Sequence, residues 1–261
     1  VRKDAQKPGR DGTIKFKPYN AKYSSLTMIS RDPNVSCYDE HARAYDAYQM
    51  AVVPRYRDML EMVAEACRRY LGPSPRILAL GCGTGNAAAA LLEKTDARVF
   101  LLDGSAGLVE LARAKISRQA TDALLGYRVA DLCSSWEQGL GGFDAVLSTL
   151  VLEHLPFPCY RETVKKCFQI LRPDGWLLAV EGYEEPGSDM QEWFNSQMEA
   201  RRKEADIELS DFVAALRETK EVHYFTSKEE KAAWWREAGF LQVTVLWQYL
   251  CIALMVGMKP L

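Results

Sequence analysis

The chain has no uninterrupted apolar run near the ~18 residues that a membrane-crossing helix requires, and its first residues are polar rather than signal-like. Internal repeats and low-complexity tracts are missing too, which removes solenoid and fibrous architectures. Charge of one sign is scarce in excess: a formal net charge of −2 gives no support to broad phosphate-backbone binding. The seven cysteines (37, 67, 82, 133, 159, 167 and 251) are odd in number and hold no C-x-x-C pair, so they read as free thiols in a reducing compartment. The three histidines (41, 154 and 223) lie far apart, and Cys159 and Cys167 show no ligand spacing, which argues against a metal site. These absences leave a cytoplasmic globular protein as the expectation. What is present agrees: 261 residues, 48% apolar and 26% charged, are enough for one well-buried domain.

The chain is organised around Ile77-Leu78-Ala79-Leu80-Gly81-Cys82-Gly83-Thr84-Gly85-Asn86. A short apolar run meets three glycines spaced G-x-G-x-G and then an Ala- and Leu-rich helical segment. That is a buried strand ending in a tight turn, where a ligand can approach the backbone and helix N–H groups point at it. Before it, residues 1–36 read as a partly ordered arm, with six basic residues up to Pro18 against Asp4 and Asp11. A short helix is expected over Tyr38–Asp46, and a second after Pro54 with Leu60, Val63, Cys67 and Tyr70 on one face. Downstream, strands near 76–80, 98–102, 127–130, 143–150 and 176–181 alternate with helices near 86–94, 105–117 and 160–171. Such alternation predicts an α/β fold with a parallel sheet covered on both faces and ligands at the carboxyl ends of the strands. From 183 to 226 the pattern becomes two amphipathic helices, one carrying Met190, Trp193, Phe194 and Met198, the other Ile207, Leu209, Phe212, Val213 and Leu216. This predicts an inserted helical cap packed on the core. Ser227-Lys228-Glu229-Glu230 is a capping box for a helix that Gly239 ends, and two apolar runs, 241–247 and 250–258, close the chain as an antiparallel hairpin at the sheet edge.

Asp103 ends the second strand, 18 residues past Gly85, where a carboxylate can accept both hydroxyl hydrogens of a ribose; the alternative is a partner for the dipole of the helix after Ser105. Asp131, just past the third strand, can accept from an adenine amino group while Leu132 packs on the ring, or it is an ordinary loop aspartate. Gly81, Gly83, Gly85, Asp103 and Asp131 fall at successive strand ends on one edge of the sheet. On that convergence, and on the segments ILALGCGTGN, VFLLDGSAGLVELARAK, YRVADL, FDAVLSTLVLEHLP and ILRPDGWLLAVE, the chain resembles the class I S-adenosylmethionine-dependent methyltransferases. The resemblance implies a Rossmann-like sheet with an antiparallel last strand, the helical cap as an insertion, and a methyltransferase domain over 37–261. It also implies S-adenosylmethionine as cofactor and S-adenosylhomocysteine as product. By resemblance, Gly81, Cys82 and Gly83 approach the methionine part with Gly85 completing the turn, Asp103 and Gly104 the ribose, and Asp131 with Leu132 the adenine.

Outside that core, VPRYRDML (53–60), the cap and the final hairpin are similar to the carboxy-S-adenosylmethionine synthase group. On that alignment Tyr56 reaches the cofactor from the N-terminal helix and Ser148 faces it from the fourth strand; Tyr56 equally fits as a core-packing aromatic. Two departures stand out. Ala79 replaces the acidic residue methyltransferases usually carry two positions before the first glycine. Where the synthase group has a cap arginine, this chain has Val213 or Ala214, with Arg217 one turn away. On the acceptor side the candidate general bases are His154, after the fourth strand, and Glu181 with Tyr183, after the fifth, each with an ordinary structural alternative. His223 and Tyr224, at the end of the cap, border the pocket or are solvated. The expected partner is a small-molecule acceptor, with nucleic acid disfavoured and no membrane; the oligomeric state is open, a homodimer among the options. The competing readings are a carboxy-S-adenosylmethionine synthase-like enzyme, a nucleic-acid or protein methyltransferase, and a non-catalytic cofactor-binding protein.

Overall fold

A computed structural model describes residues 45–185, 187–205 and 223–261. The expected arm over 1–36, the start of the first helix, the second cap helix and Arg217 lie outside the described residues. The chain is helical over residues 45–52 (α1) and continues through α2 (Tyr56–Tyr70), β1 (Arg76–Leu80), α3 (Asn86–Leu92), β2 (Arg98–Asp103), α4 (Ala106–Gln119) and β3 (Leu124–Val129). It goes on through β4 (Phe143–Thr149), α5 (Phe157–Ile170), β5 (Leu171–Gly182), α6 (Ser188–Ala205), α7 (Lys228–Glu237), β6 (Leu241–Tyr249) and β7 (Ile252–Met258).

The seven strands form one sheet in the order β3-β2-β1-β4-β5-β7-β6. The first five run parallel, and β7 is antiparallel to both β5 and β6. Alternate residues of each strand feed opposite faces. Ile77, Val99, Leu101, Leu147 and Leu254 pack with Val63 and Cys67 of α2, Leu91 of α3 and Ile116 of α4. Leu78, Leu80, Leu102, Val146 and Met255 pack with Val164 and Cys167 of α5 and Trp235 of α7. Burying each such side chain contributes about 1.5–3 kcal/mol, so both faces are held and the carboxyl edge of the strands is left to carry function. The capping box forms as expected: Ser227 Oγ accepts from Glu230 N at 3.1 Å.

Two expectations are corrected. Of the Met190, Trp193, Phe194 and Met198 stripe on α6, Phe194 is buried and Met198 half-buried, whereas Met190 and Trp193 are each 51% exposed, so only part of the stripe packs inward. Cys133 and Cys159 are not free thiols but a disulfide, with Cα atoms 5.3 Å apart. Sheet order places the loop after β3 beside the start of α5, which spacing along the chain does not reveal. Among the described residues no helix is long and apolar enough to cross a membrane.

Candidate active site

The glycine turn sits where β1 meets α3. Gly81, Gly83 and Gly85 all have positive φ (66°, 52° and 85°), which side-chain-bearing residues adopt only with strain. A Cβ on Gly81 would lie 2.4 Å from Val151, and one on Gly83 would meet the Tyr45 ring at 3.4 Å. Gly85 has a different neighbour from the one the resemblance implies: a Cβ there would meet the α4 backbone at Ala112, 3.1 Å away. It serves helix packing rather than the cleft. The turn also engages its own donors. Cys82 N–H donates to Leu102 O, Gly83 N–H to Asp103 Oδ2 and Gly85 N–H to Cys82 O, each at 2.9 Å. These three turn N–H groups are therefore bonded within the fold.

Asp103 therefore grips the turn and the next helix together, since its Oδ1 accepts from Ser105 N at 2.9 Å. Gly104 lies between them, and Ser105 Oγ in turn caps α4 by accepting from Leu108 N. The Cys82 thiol is pushed well above its ordinary pKa, chiefly by burial and then by the Asp103 charge, so it stays protonated. Asp131 is exposed and folds its loop by accepting from Cys133 N at 2.8 Å, while Leu132 is buried beside it. The disulfide at Cys133 ties that loop to α5.

A cleft opens beside the turn, and Gly81, Cys82 and Gly83 line it with Tyr56. Tyr56 is held at its hydroxyl by Asn86 Nδ2, 3.1 Å away; burial is the main cause of its raised pKa, which keeps the phenol neutral. Further lining residues were not legible as site residues: Tyr45 and Gln49 from α1, Thr84, Asn86 and Ala87 from the turn and the start of α3, and Thr149 and Leu150 from the end of β4. Ser148, the residue expected to face the cofactor, is instead 1% exposed and outside the lining, because its neighbour Thr149 points the other way from the strand. A polar cluster fixes α1 over the cleft: Asp46 accepts from Thr84 Oγ1, from Asn86 Nδ2 at 3.0 Å and from Lys115 Nζ at 3.0 Å.

The acceptor-side candidates lie at the ends of β4 and β5. Glu181 is fully buried, ion-paired to Lys231 Nζ at 2.5 Å and accepting from Tyr160 Oη at 3.0 Å, with Trp235 Nε1 donating to that hydroxyl in turn. Tyr183 is buried against Lys231, whose Nζ is 4.9 Å from its ring centroid, and burial drives its pKa far up. His154 is partly exposed, its ring 4.5 Å from that of His223, which stacks on Phe225. Residues 223–226 cross these strand ends: Tyr224 N donates to Glu153 O at 2.7 Å, Glu184 N to Thr226 O at 3.0 Å, and Phe225 fills the space beside Gly182. Glu153 itself is buried, and burial lifts its pKa to about 7. Among the described residues no cluster of three or more potential ligands could hold a metal.

A glycine turn that side chains would fill, with a carboxylate at the end of the adjacent strand, fits a nucleoside-bearing cofactor. The comparisons with known proteins agree. Residues 77–175 match a family model described as a methyltransferase domain. The chain is 27% identical to a carboxy-S-adenosyl-L-methionine synthase of Shewanella amazonensis over 214 residues, 79% of this chain and 85% of that protein. It is 25% identical to a malonyl-[acyl-carrier protein] O-methyltransferase of Priestia megaterium over 58% of this chain, but spans only 52% of that relative. Its fold matches the Haemonchus contortus phosphoethanolamine N-methyltransferase 2 solved with S-adenosyl-L-methionine, with a TM-score of 0.61 at 13% identity, covering 89% of this chain and 60% of the other.

Proposed function

Because this chain is an S-adenosylmethionine-dependent methyltransferase-type enzyme, we propose that it moves a methyl group from that cofactor to a compact small-molecule acceptor. The observation that supports this reading is residues 223–226 folded across the ends of β4 and β5, where Tyr224 N donates to Glu153 O and Glu184 N to Thr226 O. The cofactor supplies a methyl group activated on a sulfonium, and transfer needs little beyond alignment of the two reactants. The chain's own residues give that alignment. Asp103 sits at the ribose end, Leu132 and Asp131 at the adenine end, and α1 covers the amino-acid end. Where the acceptor must lose a proton, His154 is the group placed to take it, since Glu181 is committed to Lys231 and the Tyr183 phenol is held protonated.

A second reading draws on the similarity to carboxy-S-adenosyl-L-methionine synthases, which runs along most of both chains. Under it the enzyme would modify the cofactor itself. Purified enzyme incubated with S-adenosylmethionine and pools of small metabolites, with transfer RNA in parallel, separates the two by mass spectrometry. Methylated small molecule with S-adenosylhomocysteine is the expected product. A carboxylated donor formed from S-adenosylmethionine and a carboxyl-bearing metabolite of the pool, or methyl transfer confined to transfer RNA, would overturn the proposal.

A further inference from the structure

The cofactor carries an α-ammonium group, a donor that needs oxygen acceptors when it leaves water. In this chain Ala79 occupies the place of the usual acidic residue, and among the described residues lining the cleft none is acidic. Asp46, the nearest carboxylate on α1, is already engaged by Thr84, Asn86 and Lys115. Gln49 stands on the same face of α1, three residues on. It lines the cleft with Gly81, Cys82 and Gly83, is 9% exposed, and its Oε1 is buried without a hydrogen-bond partner. One turn later on the chain, Val52 and Val53 belong to the same apolar cluster as Ala79, on one face of the sheet. An amide oxygen buried without a donor is a cost to the fold unless a ligand donor relieves it.

We infer that Gln49 Oε1 accepts a hydrogen bond from the cofactor's α-ammonium, a binding role supplied from α1 in place of the carboxylate that Ala79 lacks. The inference rests on the S-adenosylmethionine reading. The Asp46 cluster then acts as the positioning device, because it fixes the helix that aims the amide. A neutral acceptor binds an ammonium less tightly than a carboxylate does, so replacing Gln49 by glutamate strengthens the contact.

Calorimetric titration tests this with wild type, Gln49→Leu and Gln49→Glu, using S-adenosylhomocysteine and its analogue lacking only the amino group. Gln49→Leu is expected to weaken S-adenosylhomocysteine at least about tenfold and to leave the deaminated analogue unchanged; Gln49→Glu is expected to bind S-adenosylhomocysteine as tightly as wild type or more so. Unaltered binding in Gln49→Leu, an equal loss for both ligands, or weakening by Gln49→Glu would overturn the role of Gln49 while leaving the cofactor reading intact. Wild-type protein that binds neither ligand would overturn the cofactor reading and this inference with it.

Discussion

At the scale of single residues, buried ionisable groups set how the protein responds to pH. Glu153 is buried near His154, Glu181 and Lys231, and Glu181 is itself ion-paired to the lysine at 2.5 Å. Burial outweighs the opposing fields of His154 and Lys231, so Glu153 keeps its proton to about pH 7 against an ordinary 4.5. Below the ordinary value it is protonated in both folded and unfolded chains. Between there and about pH 7 only the folded chain holds the proton, so stability falls as pH rises through that interval and levels off above it. Glu153→Gln should flatten this dependence and stabilise the protein on the alkaline side by on the order of 1–3 kcal/mol. Urea denaturation from about pH 5 to about pH 8 measures it; parallel pH profiles for variant and wild type would contradict the assignment.

At the scale of elements, the disulfide joins two pieces that the sheet brings together, the loop after β3 and the first turn of α5. Cys133 and Cys159 are 26 residues apart, and closing that loop in the unfolded chain restricts it. Cys159→Ser should lower stability by about 2–4 kcal/mol and loosen the loop that carries Asp131 and Leu132. Denaturant melts and hydrogen exchange at Leu132 and Cys133 would read both effects, and an unchanged melt would refute the link. The same element shows where sequence reading stops. Strands β1 and β2 were legible because their apolar runs end in glycine or aspartate, and α7 because Ser227 and Glu230 cap it. The pairing of Cys133 with Cys159 was not, since it depends on which strand ends become neighbours. Nor was the role of α1: Tyr45 and Gln49 enter the site only because Asp46 ties their helix to Thr84, Asn86 and Lys115. The glycine turn is tight with positive φ as expected, yet the Cys82, Gly83 and Gly85 N–H groups bond within the fold, and the neighbour a side chain on Gly85 would meet is Ala112.

At the scale of the whole molecule, one face of the sheet brings α1 to α4 against the cleft and the other brings α5 and α7 under the acceptor side. The two polar clusters divide accordingly: Asp46 with Lys115 fixes the cofactor side, and Glu181 with Lys231 stiffens the acceptor side. Asp103 is the residue on which the cofactor side converges, because its carboxylate holds Gly83 and Ser105 and stands at the end of β2 where a ribose would bind. Titration of wild type and Asp103→Ala with S-adenosylhomocysteine tests the central claim most directly. Wild type should bind, and the variant should bind at least about tenfold more weakly through loss of charge-assisted hydrogen bonds worth ~1.5–3 kcal/mol. No binding by wild type, or equal affinity in the variant, would contradict a cofactor seated at the glycine turn.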